Sequence, residues 1–384
     1  MSIFDIHFPR LTARDILLSH GGIDYYRLKT LVAGPGERKV YLCLPRTGFK
    51  EGPLVEIAVL DSDASLTNHR RMNEEADLLK RMSHPSIPHV HGVFKQNGRR
   101  YLVMDYVFGF SLNMIGHYAC MRKRPMSERF IVHVAREVAK VLDYVHSLKD
   151  AEGKPLGIIH RGIDPYSILV AYDGRIILTK FVSAYSRVAG RETTNPYILR
   201  GEVDFAAPEY LCAPSLRIVV DGRADLFSLG LVIVELATGQ QPYATDEMEK
   251  AAAQLPPNLF EDKLNAAWLT EVQCWTTVED LSRRASAIRP EYVEQLTQHL
   301  SAPVQKVFLR LLRREPSERY ASAAELLADL DECARQWDTP YGPVEAMEEL
   351  LQAREEAETR GPAEFRPSDD DERRAGDVYF LMDH

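Results

Sequence analysis

The sequence has few cysteines, and none is spaced for metal binding. Its 384 residues include five, and they lie far apart with no CxxC or Cys/His pattern; they are Cys43, Cys120, Cys212, Cys274 and Cys333. An odd number of scattered cysteines is not typical of a disulfide framework or a zinc site. We therefore expect reduced thiols in a cytoplasmic protein.

Long apolar runs and an excess of positive charge are also missing. No stretch approaches the roughly 18 uninterrupted apolar residues of a membrane span. The opening MSIFDIHFPRLTARD lacks the basic and apolar regions of a signal peptide. Residues 338–384 hold 14 acidic residues and 5 arginines, which leaves 42 acidic and 42 basic residues elsewhere. A neutral body with an acidic tail argues against nucleic acid or membrane as a partner.

What is present is a change from β-rich to helical patterning along the chain. Strand patterns occur in 25–45, 53–60, 92–94 and 99–107, with one helical pattern over 68–82. From about Met126 the patterns are helical, over 127–148, 225–239 and twice within 302–337. This order predicts an α+β fold with two lobes, and the cleft between lobes is the expected ligand site.

The same changes divide the chain into four predicted parts. They are an N-terminal extension over 1–24, a small lobe over 25–107, a large lobe over 108–337 and an acidic tail over 338–384. The composition of the tail favours a solvated, partly disordered extension, with one possible helix over 343–358. The tail ends in an apolar cluster, VYFLMD, which we interpret as a docking peptide or a flap.

Several ordered motifs point to one family. They are HPSIPHVHGVF, YLVMDYVFGFSL, DFAAPEYL, DGRADLFSLG and REPSERYASAAELL. With them the chain resembles the protein kinase family over roughly residues 25–335, most closely the bacterial Hanks-type Ser/Thr kinases. The resemblance implies a gatekeeper at Met104 and a hinge over Asp105 to Val107.

The resemblance also implies structural roles for residues of the large lobe. Glu209 and Arg319 would form a buried ion pair, and loss of either partner would cost roughly 3 to 5 kcal/mol. Asp225 would accept backbone N–H bonds from the loop that contains His160 and Arg161. These positions all keep the residue that the family pattern requires.

The positions that carry phosphotransfer in the family are altered. Lys180 stands where a carboxylate would bind magnesium, and Ser167 stands where an asparagine would bind it. Gly162 replaces the catalytic base and has no side chain to orient a hydroxyl. Asp164 lies two residues further on, and a displacement of even about 1 Å can cost 10²-fold in rate.

The residues that would hold the phosphates are altered as well. Side chains alternate along VEIAVL, so Glu56 and Ala58 would face the cleft, and Ala58 replaces the family's lysine. The glycine-rich loop has Ala33, Pro35 and Arg38 at its glycine positions, with Gly34 out of step. If a nucleotide binds at all, the resemblance implies these lining residues: Ala33, Gly34, Arg38, Val40, Glu56, Met104, Asp105, Val107 and Leu169.

We therefore interpret the chain as a pseudokinase that regulates or scaffolds another protein, such as an active kinase. We expect no cofactor and no metal, and at most weak, metal-independent ATP binding. The alternative is an atypical Ser/Thr kinase whose catalytic groups have moved to Lys39, Lys180 and Asp164. The neighbouring Arg38 is a second candidate, beside Lys39, for the cation that reaches inward. In either case Lys180 has two candidate ion-pair partners, Glu75 and Glu56.

Two other groups are candidates without a settled role. Trp268 and Trp275 would be binding hot spots if exposed and core residues if buried. Thr193 and Thr194 are either phosphorylation sites or ordinary loop residues.

Overall fold

The structure, a computed structural model, describes residues 15–32, 38–187, 202–211, 220–255 and 277–359. The chain divides into an N-terminal unit that ends at Phe110 and a C-terminal unit that begins at Ser111. The predicted α+β class, with a β-rich first part and a mainly helical second part, is confirmed. Within the described ranges, no helix is both long enough and apolar enough to cross a membrane.

The N-terminal unit is built on one antiparallel sheet with the order β1-β2-β3-β5-β7-β6, and β4 pairs with β3. Its strands are β1 (Asp15–His20), β2 (Ile23–Val32), β3 (Lys39–Thr47), β4 (Lys50–Glu51), β5 (Val55–Leu60), β6 (Val90–Gln96) and β7 (Arg99–Asp105). The helix α1 (Leu66–Leu79) lies between β5 and β6, and β8 (Gly109–Ser111) lies at the boundary between the units. The sheet therefore begins before the predicted start of the small lobe at residue 25, because β1 pairs with β2.

Local chemistry explains where these elements turn. The hairpin between β6 and β7 turns at Asn97 and Gly98, both with positive φ, as a two-residue Asn-Gly loop requires. The helix α1 begins after Ser65, whose side chain accepts a hydrogen bond from the Asn68 backbone N–H. One face of the sheet forms an apolar core of Leu18, Tyr25, Cys43, Val55, Ile57, Val59, Tyr101 and Val103.

The C-terminal unit is mostly helical. Its helices are α2 (Leu112–Met121), α3 (Glu128–Ser147), α4 (Pro208–Leu211), α5 (Arg223–Thr238), α6 (Asp246–Ala253), α7 (Val278–Ala287), α8 (Pro290–Thr297), α9 (Ala302–Leu311), α10 (Ala323–Arg335) and α11 (Pro343–Thr359). The strands β9 (Ile168–Ala171) and β10 (Ile176–Leu178) form an antiparallel pair.

Helix α5 lies at the centre of this unit. Nearly all of its residues are buried, which agrees with its apolar sequence. It ends at Gly239, which adopts a left-handed conformation (φ 69°) and donates its N–H to the carbonyl of Glu235. The first turn of α5 carries Asp225, and this buried end anchors the loops described below.

The beginning of the acidic tail is a packed helix. Helix α11 buries one face against α2 and α3, and the buried residues are Ala346, Met347, Leu350, Ala353 and Ala357. Their helical spacing provides the apolar stripe that packs. The composition of the tail favoured a solvated extension, but residues 343–359 are part of the C-terminal unit. The terminal VYFLMD lies outside the described residues.

Candidate functional site

The predicted site residues fall on both units, and each set is described on its own unit. In the C-terminal unit, the carboxylate of Asp225 binds the start of the loop that begins at His160. The backbone N–H groups of His160 and Arg161 donate to its two oxygens at 2.8 and 2.9 Å. His146 Nε2, from the last turn of α3, contacts the same carboxylate at 2.8 Å. This is the arrangement that the resemblance implies, with His146 added.

Asp225 is almost fully buried, so its charge depends on these donors. Burial by itself would raise the pKa of Asp225. The hydrogen bond and charge of His146, together with the nearby His160, outweigh burial and lower this pKa overall. Asp225 is therefore ionised near neutral pH and holds the loop as a charged acceptor.

The imidazole of His160 is fixed inside the loop. Its Nε2 lies 2.8 Å from the carbonyl oxygen of Thr179, and its Nδ1 lies 3.2 Å from the backbone N of Gly162. The two contacts fit a neutral ring that donates from Nε2 and accepts at Nδ1. Burial lowers the pKa of His160, which favours the same neutral form. The ring also meets Phe181 edge to face.

The backbone does not require a glycine at position 162, where the resemblance implies a catalytic base. The φ of Gly162 is not in the left-handed range that favours glycine. A Cβ placed there would meet Ser183 Cβ at 3.5 Å and the His160 ring at 3.8 Å, which are ordinary contacts. The loop therefore has room for a side chain at this position, and the fold does not explain why none is present.

Asp164 and Ser167 are bound to each other in a closed turn. Asp164 Oδ1 accepts the backbone N–H groups of Tyr166 and Ser167 at 2.8 and 2.7 Å. Ser167 Oγ accepts the Asp164 N–H at 2.9 Å and donates to the Asp164 carbonyl at 2.8 Å. Asp164 is 3% exposed and Ser167 is fully buried. Their oxygens serve this turn, as in other Asx turns.

Lys180 adopts a left-handed conformation with φ 61°. Its side chain is exposed, and Nζ lies 4.9 Å from the ring centroid of Tyr166, a cation–π contact. Among the described residues, no group of three or more His, Cys, Asp or Glu side chains has the geometry to hold a metal ion.

In the N-terminal unit, the side chains of β5 alternate as the sequence predicts. Val55, Ile57 and Val59 enter the apolar core of the sheet. Ala58 faces the other way, is fully buried, and lies opposite Val40 of β3. Position 58 therefore offers a methyl group on the face where the family has a lysine.

Arg38 takes over the contact that Ala58 cannot make. It precedes β3, and alternation places its side chain on the face of Val40 and Ala58. Its guanidinium donates to the carboxylate of Glu75 on α1, whose side chain is 4% exposed. The kinase resemblance implies that Glu75 would pair with the lysine that Ala58 replaces. Glu75 therefore has a cationic partner, and it comes from the residue just before β3.

Lys39 points to the opposite face of the sheet. It pairs in register with Val59, a core residue, and its Nζ lies 2.8 Å from Asp61 Oδ2. Arg99 binds the other oxygen of Asp61 at 2.8 Å. The hydrogen bond with Asp61 raises the pKa of Lys39, which stays charged and engaged. Of the two adjacent cations, Arg38 alone shares the face of Ala58.

The remaining predicted site residues lie on strands or connecting segments of the two units. Met104 lies opposite Glu56 in the register of β5 and β7, and Asp105 accepts from His91 at 2.8 Å. Leu169 lies on β9 and Val107 lies in the segment before β8. The predicted pairing of Lys180 with Glu75 or Glu56 joins the two units and stays a prediction. Several predicted residues lie outside the described ranges: Ala33, Gly34, Pro35, Thr193, Thr194, Trp268 and Trp275.

The scaffold pair of the C-terminal unit is a bidentate ion pair. Arg319 donates to both carboxylate oxygens of Glu209 at 2.6 and 2.7 Å, and both side chains are almost fully buried. Arg319 also donates to backbone carbonyls of Arg313, Arg314 and Arg223. The guanidinium therefore joins α4 to the loop before α10.

Sequence reasoning missed His146 as the third partner of Asp225. The sequence shows only a lone histidine in the last turn of a long amphipathic helix. Such a residue usually indicates an interaction with the helix end and does not point to a distant carboxylate. Sequence reasoning left Lys39 and Arg38 open as the inward-facing cation, and the strand register decides for Arg38. It did not predict the contact of Arg38 with Glu75.

Comparison with known proteins identifies the family. The model of the protein kinase domain family matches residues 40–330, so the chain belongs to the protein kinase domain family. It is 33% identical over 227 residues to the serine/threonine-protein kinase PknJ of Mycobacterium tuberculosis, covering 57% of this chain and 35% of that protein. It is 26% identical over 314 residues to the serine/threonine-protein kinase PknB of Mycolicibacterium smegmatis, covering 80% and 42%.

A solved structure has the same fold. The crystal structure of the Mycobacterium tuberculosis PknI kinase domain aligns with a TM-score of 0.51 and 23% identity, covering 83% of this chain and 99% of that one. The chain spans only about a third to two fifths of the length of the curated relatives named above.

Proposed function

We propose that this kinase domain is a pseudokinase, which acts by binding another protein and does not transfer phosphate from Mg-ATP by the usual route. The observation that carries the proposal is the closed turn of Asp164 and Ser167. Ser167 stands at a magnesium position, and Asp164 lies two residues after the position of the base. Ser167 Oγ and Asp164 Oδ1 both bond to the backbone of their own loop. A magnesium-held triphosphate does not fit this donor set.

The N-terminal unit supports the same proposal. Ala58 cannot reach a phosphate, and Arg38 is bound to the buried carboxylate of Glu75. A guanidinium that left Glu75 to bind phosphate would leave that carboxylate buried without this partner, which is costly. The unit therefore holds α1 against its sheet through a contact that needs no nucleotide.

The alternative is a kinase with relocated catalytic groups. Two of the three residues that it needs, Lys39 and Asp164, are badly placed for catalysis. Lys39 lies on the wrong face of the sheet and is bound to Asp61. Asp164 is buried and accepts two backbone N–H groups, so it is poorly placed to serve as a base. Lys180 remains as an exposed cation and is the residue best placed to bind a phosphate directly, without metal.

Thermal denaturation with millimolar ATP, with and without Mg²⁺ or Mn²⁺, tests the absence of the usual nucleotide site. A ligand at 100 times its Kd stabilises the folded state by about 2.7 kcal/mol. We expect no metal-dependent rise in the melting temperature, whereas the kinase domain of PknB, used as the positive control, should show one. Metal-dependent transfer of radiolabelled phosphate that is lost in Lys180→Ala would overturn the proposal.

A separate experiment tests the binding role. Copurification from the source organism identifies candidate partners, and each is then purified and titrated against the chain. We expect a stoichiometric complex that changes the activity or location of the partner. If no purified candidate binds, the scaffold role is wrong even where the thermal result stands.

A further inference from the structure

The linker after α10 and helix α11 cover part of α3. We call residues 337–359 the C-terminal strap. Arg129 of α3 lies over the rings of Trp337 and Tyr341, at 5.2 and 5.3 Å from their centroids. It also donates to the side chain of Thr339 at 2.8 Å. The linker is therefore held by one arginine between two aromatic rings.

Carboxylates of α11 hold the rest of the strap. Glu349 accepts the backbone N–H and the hydroxyl of Ser127, the N-cap of α3, at 2.6 Å each. It also accepts the hydroxyl of Tyr341 at 2.6 Å. Glu356 accepts a hydrogen bond from Arg124 at 3.0 Å. These contacts fix the strap on the surface of α2 and α3.

His133 lies beneath this strap, one turn after Arg129. It is 2% exposed, and the ring of Tyr341 meets it at 5.9 Å between centroids. Within the described ranges, neither ring nitrogen has a hydrogen-bond partner. A neutral imidazole tolerates such a place at the cost of unmet hydrogen bonds, but an imidazolium would bury a charge with two unpaired N–H groups.

The charges around His133 do not compensate for a proton there. On α3, Arg136 and Lys140 oppose it and Glu137 favours it. From α11, Glu345 favours it, although that carboxylate already accepts the Gly342 N–H. On α10, Asp331 pairs with Arg136 and offsets one cation. Burial is the largest effect, and it lowers the pKa of His133 below the ordinary 6.5.

We propose that the C-terminal strap is a pH-sensitive latch, which protonation of His133 releases from α3. With the strap docked, His133 is neutral; with the strap away, its ring meets water and takes up a proton at the ordinary histidine pKa. The docked state therefore binds fewer protons, and acid favours release. Docking is complete above pH 6.5 and weakens as pH falls below it, by up to about tenfold per unit.

Release would change the surface of the C-terminal unit. Arg124 and Arg129 would lose their strap partners, and the buried face of α11 would be exposed. The uncovered part of α2 and α3 would then be cationic. This inference does not depend on whether the domain transfers phosphate.

Backbone hydrogen exchange of residues 343–359 tests the latch. The exchange rate of the wild-type chain is divided by that of His133→Phe at the same pH, which cancels the intrinsic pH dependence of the chemistry. We expect this ratio to rise by up to about tenfold per unit between pH 6.5 and 5.5 for α11, and to stay constant for α5. His91→Gln removes an exposed histidine of the other unit and should behave as wild type.

Trp337 provides a second measurement. In a Trp268→Phe, Trp275→Phe background it is the sole tryptophan, since the chain has three. The fluorescence emission of Trp337 should shift to longer wavelength between pH 6.5 and 5.5 when His133 is present. It should stay fixed when His133→Phe is added to the same background. If His133→Phe does not fold, His133→Leu replaces it. A flat ratio for α11, or a fluorescence change that persists without His133, would overturn the proposal.

Discussion

Arg38 donates a hydrogen bond to Glu75, and this contact ties the start of β3 to α1 from the strand beside the one that carries Ala58. The buried glutamate has kept a cationic partner although the residue that supplies it in the family is absent. The position of α1 on its sheet is therefore held by residues of this unit alone.

Loss of Arg38 should destabilise the N-terminal unit more than loss of its neighbour. In Arg38→Ala the carboxylate of Glu75, 4% exposed, loses its partner, and we expect the free energy of unfolding to fall by about 3 kcal/mol. In Lys39→Ala a solvent-screened pair with Asp61 is lost, and we expect a clearly smaller fall. Urea denaturation of both variants measures the difference. If the two variants lost equal free energies of unfolding, the contact of Arg38 with the buried Glu75 would contribute no more than an exposed pair.

Two glycines of the C-terminal unit should respond in opposite ways to a methyl group. Gly162 has an ordinary φ and room for a Cβ, so Gly162→Ala should stabilise the fold by about 0.4 to 1 kcal/mol. Gly174 has φ +80°, and a Cβ there would overlap the carbonyl of Pro343 at the start of α11. Gly174→Ala should therefore cost more than about 1 kcal/mol. Thermal melts of the two variants, with hydrogen exchange of α11, check both signs.

Acid stability should depend on Asp225. Its pKa is lowered in the folded state from the ordinary 3.8, so its contribution is complete above that value and is lost as pH falls through the folded pKa. Asp225→Asn should be less stable at pH 7, because the His160 and Arg161 N–H groups lose a charged acceptor. Its stability should also fall less steeply than that of wild type below about pH 4. Urea denaturation over a pH series measures both proteins. If the stabilities of wild type and Asp225→Asn fall in parallel with pH, another carboxylate dominates acid unfolding.

Much of the fold follows from periodicity and end signals. The alternation along β5 placed Val55, Ile57 and Val59 together, and the 3.6-residue pattern located α3 and α5 to within a few residues. Asp225 was expected to hold the loop at His160 because a family motif marks it. These features depend on short stretches of sequence, so sequence alone reveals them.

The rest depends on contacts between distant segments. The choice of Arg38 over Lys39 is decided by the register of β3 on β5, in which a shift of one residue would exchange the two side chains. The acidic composition of the tail indicated solvation, yet its carboxylates meet Ser127 and Arg124, about which composition says nothing. The closed turn of Asp164 and Ser167 likewise needs coordinates, since either side chain alone is common in open loops.

The support that Asp225 gives to His160 and Arg161 comes from 65 and 64 residues further along the chain. The shape of that loop therefore rests on a buried side chain of another element, α5. Substitutions at positions 162 and 180 leave this support in place, because neither side chain takes part in it. The backbone of the loop can in this way keep its shape while the side chains that it displays change.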